Sequence, residues 1–244
     1  MFGQILATYK TINDIPNFKV KALHTPIQTE KRREIAIAVI DDQPLAAGRN
    51  LTTYGYNIKE IGDLKSISEI AEFPIVLCDL MDVGAHFDKS AQGASIIREI
   101  RKNFPAIYVL AYSGSASSDP LVRRTSMFTD GFIKKDAELE EWTDTLDQYI
   151  SNATDVREVW HRIRNALVNE RVDTKDLLKL EDSFVRSYLG GDKNLNGMSA
   201  TMKKMEMGSS ARSIVEGLAA SALFKLLGAS IFDHFRGCAA VRLA

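Results

Sequence analysis

Five side chains that could act together in phosphoryl chemistry follow four short apolar runs of the sequence. Asp41 and Asp42 follow the first run, Asp79 the second, Ser113 the third and Lys135 the fourth. In an open parallel sheet, ligands bind beyond the carboxyl ends of the strands, so side chains at four strand ends can converge on one point. The order of these residues therefore predicts a shared site of three carboxylates, a hydroxyl and an amine.

Three carboxylates that lie together raise one another's pKa values unless a cation neutralises them. Mg²⁺ is the natural cation, because it takes oxygen ligands and is usually held by one or two carboxylates together with phosphate oxygens. A carboxylate oxygen can then attack a phosphoryl donor, and a cation and a hydroxyl donor help the metal to stabilise the transition state. Lys135 and Ser113 are residues of those two types.

The elements that would position these side chains alternate between strand and helix. The apolar runs are short and rich in β-branched or aromatic residues, as in strands buried on both faces. They cover Ile35 to Ile40, Ile75 to Cys78, Ala106 to Ala111 and Gly131 to Ile133, with a further strand expected around Tyr56 to Ile61. Helices are expected near Leu64 to Phe73, around Ile96 to Ile100, over Leu121 to Phe128 and over Leu139 to Ile150. The pattern predicts an α/β fold, a doubly wound five-stranded parallel sheet with five helices.

The four strand ends together resemble a response-regulator receiver domain of two-component signalling. The matching segments are IAVIDD (37–42), IVLCDLM (75–81), VLAYSG (109–114) and GFIKKD (131–136). No single segment is specific, but the ordered set of four is much more so. The resemblance covers residues from about 34 to 152 and implies a flavodoxin-like receiver fold.

The resemblance implies a role for each site residue. Asp79 would accept a phosphoryl group from a phosphohistidine on a histidine kinase or phosphotransfer protein. Asp41, Asp42 and Asp79 would hold Mg²⁺, with the backbone carbonyl of Met81 as a further ligand. In the phosphorylated form, the phosphoryl group would be contacted by Ser113 and Lys135.

Neighbouring residues fit the family pattern in part. Lys135 is chosen over Lys134 because the family's lysine lies four residues after the glycine that opens this strand, here Gly131. Phe132 stands where the family often has an aromatic residue that turns inward on activation. Gly114 fits as a small residue next to the hydroxyl.

The segment after the proposed acceptor departs from the family. A proline usually follows the acceptor closely and a glycine comes several residues later, whereas Asp82 follows Met81 here and the matching glycine is Gly93. Residues 82–91 are therefore interpreted as containing a loop insertion of about five residues, which costs little free energy.

A second departure predicts slow loss of the phosphoryl group. Met81 and Ser115 stand at the two positions that often carry amide or acidic side chains able to orient a hydrolytic water. Without such a partner the attacking water is poorly positioned, so we expect the phosphoryl group on Asp79 to be long-lived. Loss of a labelled phosphoryl group from the purified protein within seconds would contradict this expectation.

Several of these residues also have simpler interpretations. Asp41 and Asp42 could cap a helix that Pro44 opens. His86 has no cysteine or second histidine at ligand spacing, which favours a surface histidine over a metal ligand. Cys78 lies within a strand and is interpreted as a small packing residue.

Composition argues for an intracellular protein of more than one domain. The chain has 244 residues, a net charge of −1 and two cysteines, too few for a disulfide framework. Its start lacks the long apolar core of a secretory signal, so a cytoplasmic location is expected. Residues 1–33 are predicted to form a partly extended arm, 34–152 the receiver domain and 153–244 a helical output or oligomerisation region.

The C-terminal region shows helical spacing throughout. The apolar stripes are Val156 to Leu167, Leu177 to Leu189 closed by Gly190 and Gly191, the methionines 198, 202 and 205, and a last segment, Ile214 to Phe232. For the methionines, core packing is favoured over a partner-binding face. Glu216 and Lys225 argue against a membrane span in the last segment and favour a buried or homo-oligomer-forming helix, while interfacial membrane contact stays open.

The favoured function is a response regulator in which phosphorylation modulates the helical region. Such a protein catalyses its own phosphorylation but is not a multiple-turnover enzyme. Residues 151–244 carry 14 Lys and Arg against 11 Asp and Glu, a surplus too small to predict nucleic-acid binding. Three alternatives stay open: an unphosphorylated receiver-like scaffold or oligomerisation protein, a transcription factor, and a metal-dependent phosphohydrolase with Asp82 as its acid-base group.

Overall fold

The sheet of this computed structural model has the predicted parallel arrangement. The structure describes residues 9–15, 26–114, 120–221 and 223–227. Its strands are β1 (Ala36–Ile40), β2 (Asn57–Glu60), β3 (Ile75–Asp79), β4 (Tyr108–Ser113) and β5 (Gly131–Lys134). Within the described residues they form one sheet of five parallel strands in the order β2-β1-β3-β4-β5. This is the flavodoxin-like order of a doubly wound sheet, so the predicted fold class is confirmed.

Helices flank this sheet and then continue beyond it. Those up to residue 153 are α1 (Pro26–Glu34), α2 (Gly48–Thr53), α3 (Gly93–Asn103), α4 (Pro120–Thr125) and α5 (Leu139–Ala153). Those that follow are α6 (Val156–Asn169), α7 (Thr174–Gly190), α8 (Asn196–Met202) and α9 (Ser209–Ala220). The predicted C-terminal helical region is therefore present.

Strand register brings the predicted site to one edge of the sheet. The inner strand β3 is buried along its whole length, and so is β4. Asp79 at the end of β3 pairs with Tyr112 of β4, and Ser113 pairs with Lys134 at the end of β5. The carboxyl ends of these strands are therefore level, as convergence on one site requires.

The structure refines two local predictions. The short helix expected near Leu64 to Phe73 is a 3-10 helix over Ile67–Ile70, which Ser66 and Glu69 cap reciprocally. The charged stretch Glu30 to Glu34, expected to end a partly extended arm, lies in helix α1. The limits proposed at residues 33 and 152 stay predictions, and α1 crosses the first of them.

The helical region has its own apolar core. It is built from α6 to α9 and residues 223–227, and the predicted stripe of α6 is buried throughout. The three methionines of the spaced set are buried in it as well, so core packing is confirmed. On α7 the prediction holds only in part, because Leu178 and Leu189 are exposed. Ile12 and Ile15 of the N-terminal segment pack into the same core.

The last predicted helix is interrupted. Helix α9 ends at Ala220 and Ser221 has an extended backbone, so Ile214 to Phe232 does not begin as one continuous helix. Residues 228–232 lie outside the described part of the chain. Among the helices that the structure describes, none combines the length and the apolar character that crossing a bilayer requires.

The helical region contacts the sheet at its amino-terminal edge. Arg162 of α6 donates to Asp130 Oδ1 at 2.7 Å and to the backbone carbonyl oxygens of Pro105 and Ile107, just before β4 begins. Arg101 of α3 donates to the other oxygen of Asp130 at 2.6 Å. We call these three charged residues, Arg101, Asp130 and Arg162, the Asp130 cluster. It lies at the opposite end of the strands from the predicted site.

Candidate functional site

The structure brings the predicted carboxylates together. Asp41, Asp42 and Asp79 each offer one carboxylate oxygen, and these three oxygens lie within 4.8 Å of one another. Asp41 and Asp79 are buried, whereas Asp42 is exposed to solvent. Oxygen ligands at this spacing, with one side open to water, fit the needs of Mg²⁺, which keeps several waters when bound to protein.

Lys135 lies at the centre of the site. Its Nζ is 2.7 Å from Asp79 Oδ2 and 3.1 Å from Asp41 Oδ2. Lys134, the rejected alternative, is exposed. The backbone N–H of Lys135 donates to the carbonyl oxygen of Ser113 at 3.1 Å, which fixes the end of β5 against the end of β4.

The two buried carboxyl groups differ in their electrostatics. Burial raises the pKa of Asp79, and the hydrogen bond and charge of Lys135 offset only part of that rise. Burial acts in the same direction on Asp41, but hydrogen bonds from Tyr112, the Gln43 N–H and Lys135 outweigh it and lower the pKa. Burial would lower the pKa of Lys135, yet its bonds to Asp79 and Asp41 raise it. The site therefore favours a carboxylate at Asp41 and an ammonium at Lys135.

Tyr112 is a member of the site that sequence reasoning missed. Its buried hydroxyl donates to Asp41 Oδ2 at 2.6 Å, and Lys135 Nζ lies 5.2 Å from the centre of its ring. Burial and the bond to Asp41 raise the pKa of Tyr112, which keeps the hydroxyl protonated. The available signal was a tyrosine one position before Ser113, at the end of an otherwise apolar strand.

The segment after Asp79 closes tightly against it. The Leu80 N–H donates to Asp79 Oδ1 at 2.7 Å, and Met81 is exposed. A Cβ on Gly93 would lie 1.9 Å from the Asp79 carbonyl oxygen, so only glycine fits there. The match of Gly93 to the family's glycine therefore has a steric reason. Whether the Met81 carbonyl binds metal stays a prediction.

The loop after Asp79 is held by hydrogen bonds to Gln92 and to Asp63, which lie outside residues 82–91. The Asp82 N–H donates to Gln92 Oε1 at 2.9 Å, and the Gly84 N–H donates to Asp63 Oδ1 at 2.7 Å. Asp82 and Gln92 both have positive φ angles, 58° and 46°. His86 is exposed on this loop.

The remaining predicted residues are placed as follows. Ser113 is buried at the end of β4, and Phe132 is half-buried against the apolar cluster on one face of the sheet. A Cβ on Gly114 would meet no atom of the described residues within 4 Å, so those residues give no steric reason for a small side chain there. Cys78 is buried, as expected of a packing residue. Ser115 lies outside the described residues.

Comparison with known proteins finds structural likeness without a match in sequence. No protein-family model and no curated protein matches the chain. The Vibrio cholerae chemotaxis protein CheY4 is 14% identical, over 47% of this chain and 98% of its own, with a TM-score of 0.39. A response regulator from Burkholderia pseudomallei, solved with a phosphorylated aspartic acid, a calcium ion and citrate, is 19% identical, over 74% of this chain and 97% of its own, with a TM-score of 0.38.

Full-length FixJ from B. japonicum is also similar in structure. It is 16% identical, over 77% of this chain and 97% of its own, with a TM-score of 0.40. The strand order of the sheet is the one found in flavodoxin and CheY. The strand order thus confirms the predicted flavodoxin-like fold.

Proposed function

We propose that the chain is a response regulator that accepts a phosphoryl group on Asp79 in an Mg²⁺-dependent reaction. The observation that carries this proposal is the position of Lys135, 2.7 Å from Asp79 and 3.1 Å from Asp41 within one carboxylate cluster. A buried carboxylate with an adjacent cation and further oxygen ligands is suited to forming an acyl phosphate.

Asp41, Asp42 and Asp79 would hold the ion, with the Met81 carbonyl as the predicted fourth protein ligand. When bound, Mg²⁺ supplies positive charge to the carboxylates and to the phosphoryl oxygens. The donor set, all oxygen and partly open to water, agrees with this ion rather than with a soft metal.

The transfer needs little covalent chemistry from the protein. An oxygen of Asp79 forms a bond to phosphorus, the bond from phosphorus to the donor's imidazole nitrogen breaks, and its electron pair stays on that nitrogen. Lys135 then pairs with the phosphoryl oxygens, and the Ser113 hydroxyl donates to one of them. The chain keeps the product on Asp79, so it is a phosphoacceptor and not a multiple-turnover enzyme.

Incubation with Mg²⁺ and acetyl phosphate should add one phosphoryl group to the protein, measured by intact mass. Asp79→Asn should abolish the gain in mass, because the amide cannot form the acyl phosphate. Asp82→Asn is the matched control, since Asp82 is an exposed carboxylate three positions along the same segment. It should be phosphorylated like the wild type.

Three outcomes would contradict the proposal. If the wild-type protein binds Mg²⁺ but gains no mass, the receiver-like scaffold is supported instead. A mass gain that survives Asp79→Asn places the acceptor elsewhere. Repeated turnover of a phosphomonoester that Asp82→Asn abolishes supports the phosphohydrolase.

The proposed donor is a phosphohistidine on a histidine kinase or phosphotransfer protein, and the proposed responder is the helical region. A groove-reading transcription factor would need Arg157, Arg162, Arg164 and Arg171 on one exposed face. It is not supported, because two of these arginines are bonded within the protein. Arg162 contacts Asp130, and Arg157 donates to the Ile15 carbonyl oxygen. Homo-oligomer formation through the C-terminal helices stays a prediction, and the mass of the assembly with and without phosphorylation measures it.

A further inference from the structure

Tyr112 lies between the proposed metal site and helix α5. It is the residue of β4 paired with Asp79, and its side chain is fully buried. Its hydroxyl is 2.6 Å from Asp41 Oδ2, and its ring meets the Trp142 ring of α5 edge-on, with centroids 6.0 Å apart. The Tyr112 side chain is therefore contacted at its ring by Trp142 and at its hydroxyl by Asp41.

Three donors among the described residues hold the Asp41 carboxylate. The Gln43 N–H donates to Oδ1 at 2.9 Å, while Tyr112 and Lys135 both donate to Oδ2. Lys135 is the mobile member, because its side chain is flexible and 36% exposed. In the proposed reaction Lys135 turns to the phosphoryl group, so only Tyr112 and the backbone remain to hold Asp41.

We propose that Tyr112 is a positioning residue that holds Asp41 in its metal-binding orientation, whether or not Lys135 contacts Asp41. This inference rests on the proposed function in one respect, that Asp41 is a metal ligand. Hydrogen bonds to ligating side chains commonly govern metal affinity, and their removal typically costs about 10- to 100-fold. The hydroxyl carries this role, since the ring alone would pack equally well as phenylalanine.

The test is Mn²⁺ binding measured by electron paramagnetic resonance on the full chain, with no phosphodonor present. Tyr112→Phe should raise the Mn²⁺ dissociation constant by about 10-fold or more. Tyr56→Phe is the matched control, because the buried Tyr56 also donates to a carboxylate, Asp147 Oδ1, at 2.8 Å. It should lose a hydrogen bond of the same kind and keep the wild-type dissociation constant.

A double-mutant cycle separates positioning from general loosening of the fold. If Tyr112 acts through Asp41, Tyr112→Phe should have no further effect on Mn²⁺ binding in an Asp41→Asn background. Equal or tighter binding by Tyr112→Phe overturns the inference, and so does an equal effect in both backgrounds. If the wild-type protein binds no Mn²⁺, the metal site of the proposed function is refuted. This result differs from the two outcomes that overturn only the role of Tyr112.

Discussion

Replacing Gly93 by alanine is expected to lower the free energy of unfolding by about 3 kcal/mol or more, at the upper end of the cost of overpacking. The new methyl group would lie 1.9 Å from the carbonyl oxygen of Asp79 and 2.9 Å from the Leu80 Cα. These are backbone atoms, so no side-chain rotation relieves the overlap. Either the end of β3 or the start of α3 must shift.

The shift should also reduce phosphorylation, because it moves the backbone that carries Asp79. Urea denaturation measures the first effect, and the intact-mass assay under conditions where the variant is folded measures the second. Gly190→Ala is the control, since a Cβ there would meet no atom within 4 Å in the described part of the chain. An alanine at such a helical position leaves stability unchanged or raises it slightly. If Gly93→Ala kept the wild-type denaturation midpoint, this result would contradict the close packing of α3 against Asp79.

Asp130→Asn is expected to destabilise the protein by about 3 kcal/mol, as does removal of one partner from a mostly buried ion pair. The Asp130 side chain is 13% exposed and accepts from Arg101, Arg162 and the Val109 N–H. Burial already lowers the pKa of Arg101. Without the carboxylate, the two guanidinium groups repel each other with no counter-charge between them.

The chain's two tryptophans can locate this effect. Trp142 is buried in the core on one face of the sheet, and Trp160 in the core of the helical region. In single-tryptophan variants, made with Trp142→Phe or Trp160→Phe, Asp130→Asn should separate two unfolding transitions that otherwise coincide. This measurement also tests the predicted boundary at residue 152.

Asp176→Asn is the matched control for charge removal. Asp176 pairs with Lys179 one turn along α7, in a pair more exposed than the Asp130 cluster. Exposed pairs contribute little to stability. If Asp130→Asn were as mild as Asp176→Asn, the cluster would not hold the helical region to the sheet.

The parts of the site found from sequence are those that topology alone determines. Asp79 ends its strand, and Asp41 and Lys135 directly follow theirs, while parallel strands bring their carboxyl ends to one edge. The neighbour of Tyr112 across the sheet can be deduced from the sequence. Its role was missed because the contact of its hydroxyl with Asp41 depends on how the ring packs against α5. The contact of Arg162 with Asp130 was missed for a similar reason, since it joins two surfaces that meet only after folding.

The type of the short helix near Leu64 also has a signal in the sequence. Leu64, Ile67, Ile70 and Phe73 recur every three residues. That spacing matches the 3-10 helix better than the α-helix, whose period is 3.6 residues. The structure has a 3-10 helix over Ile67–Ile70 within this segment.

The Asp130 cluster and the proposed phosphoryl acceptor lie at opposite ends of the strands. Strand β4 has six residues and spans about 20 Å between Asp130's end of the sheet and Asp79's. If Asp79 is phosphorylated as proposed, the phosphoryl group would be too far from the Asp130 cluster to contact that part of α6 directly. Under the proposed function, any effect of phosphorylation on the helical region would have to pass through the domain. Helix α5 offers one route, since it contacts Tyr112 through Trp142 and is followed by α6 after two residues. Helix α3 offers another, since it begins against Asp79 and packs against α9.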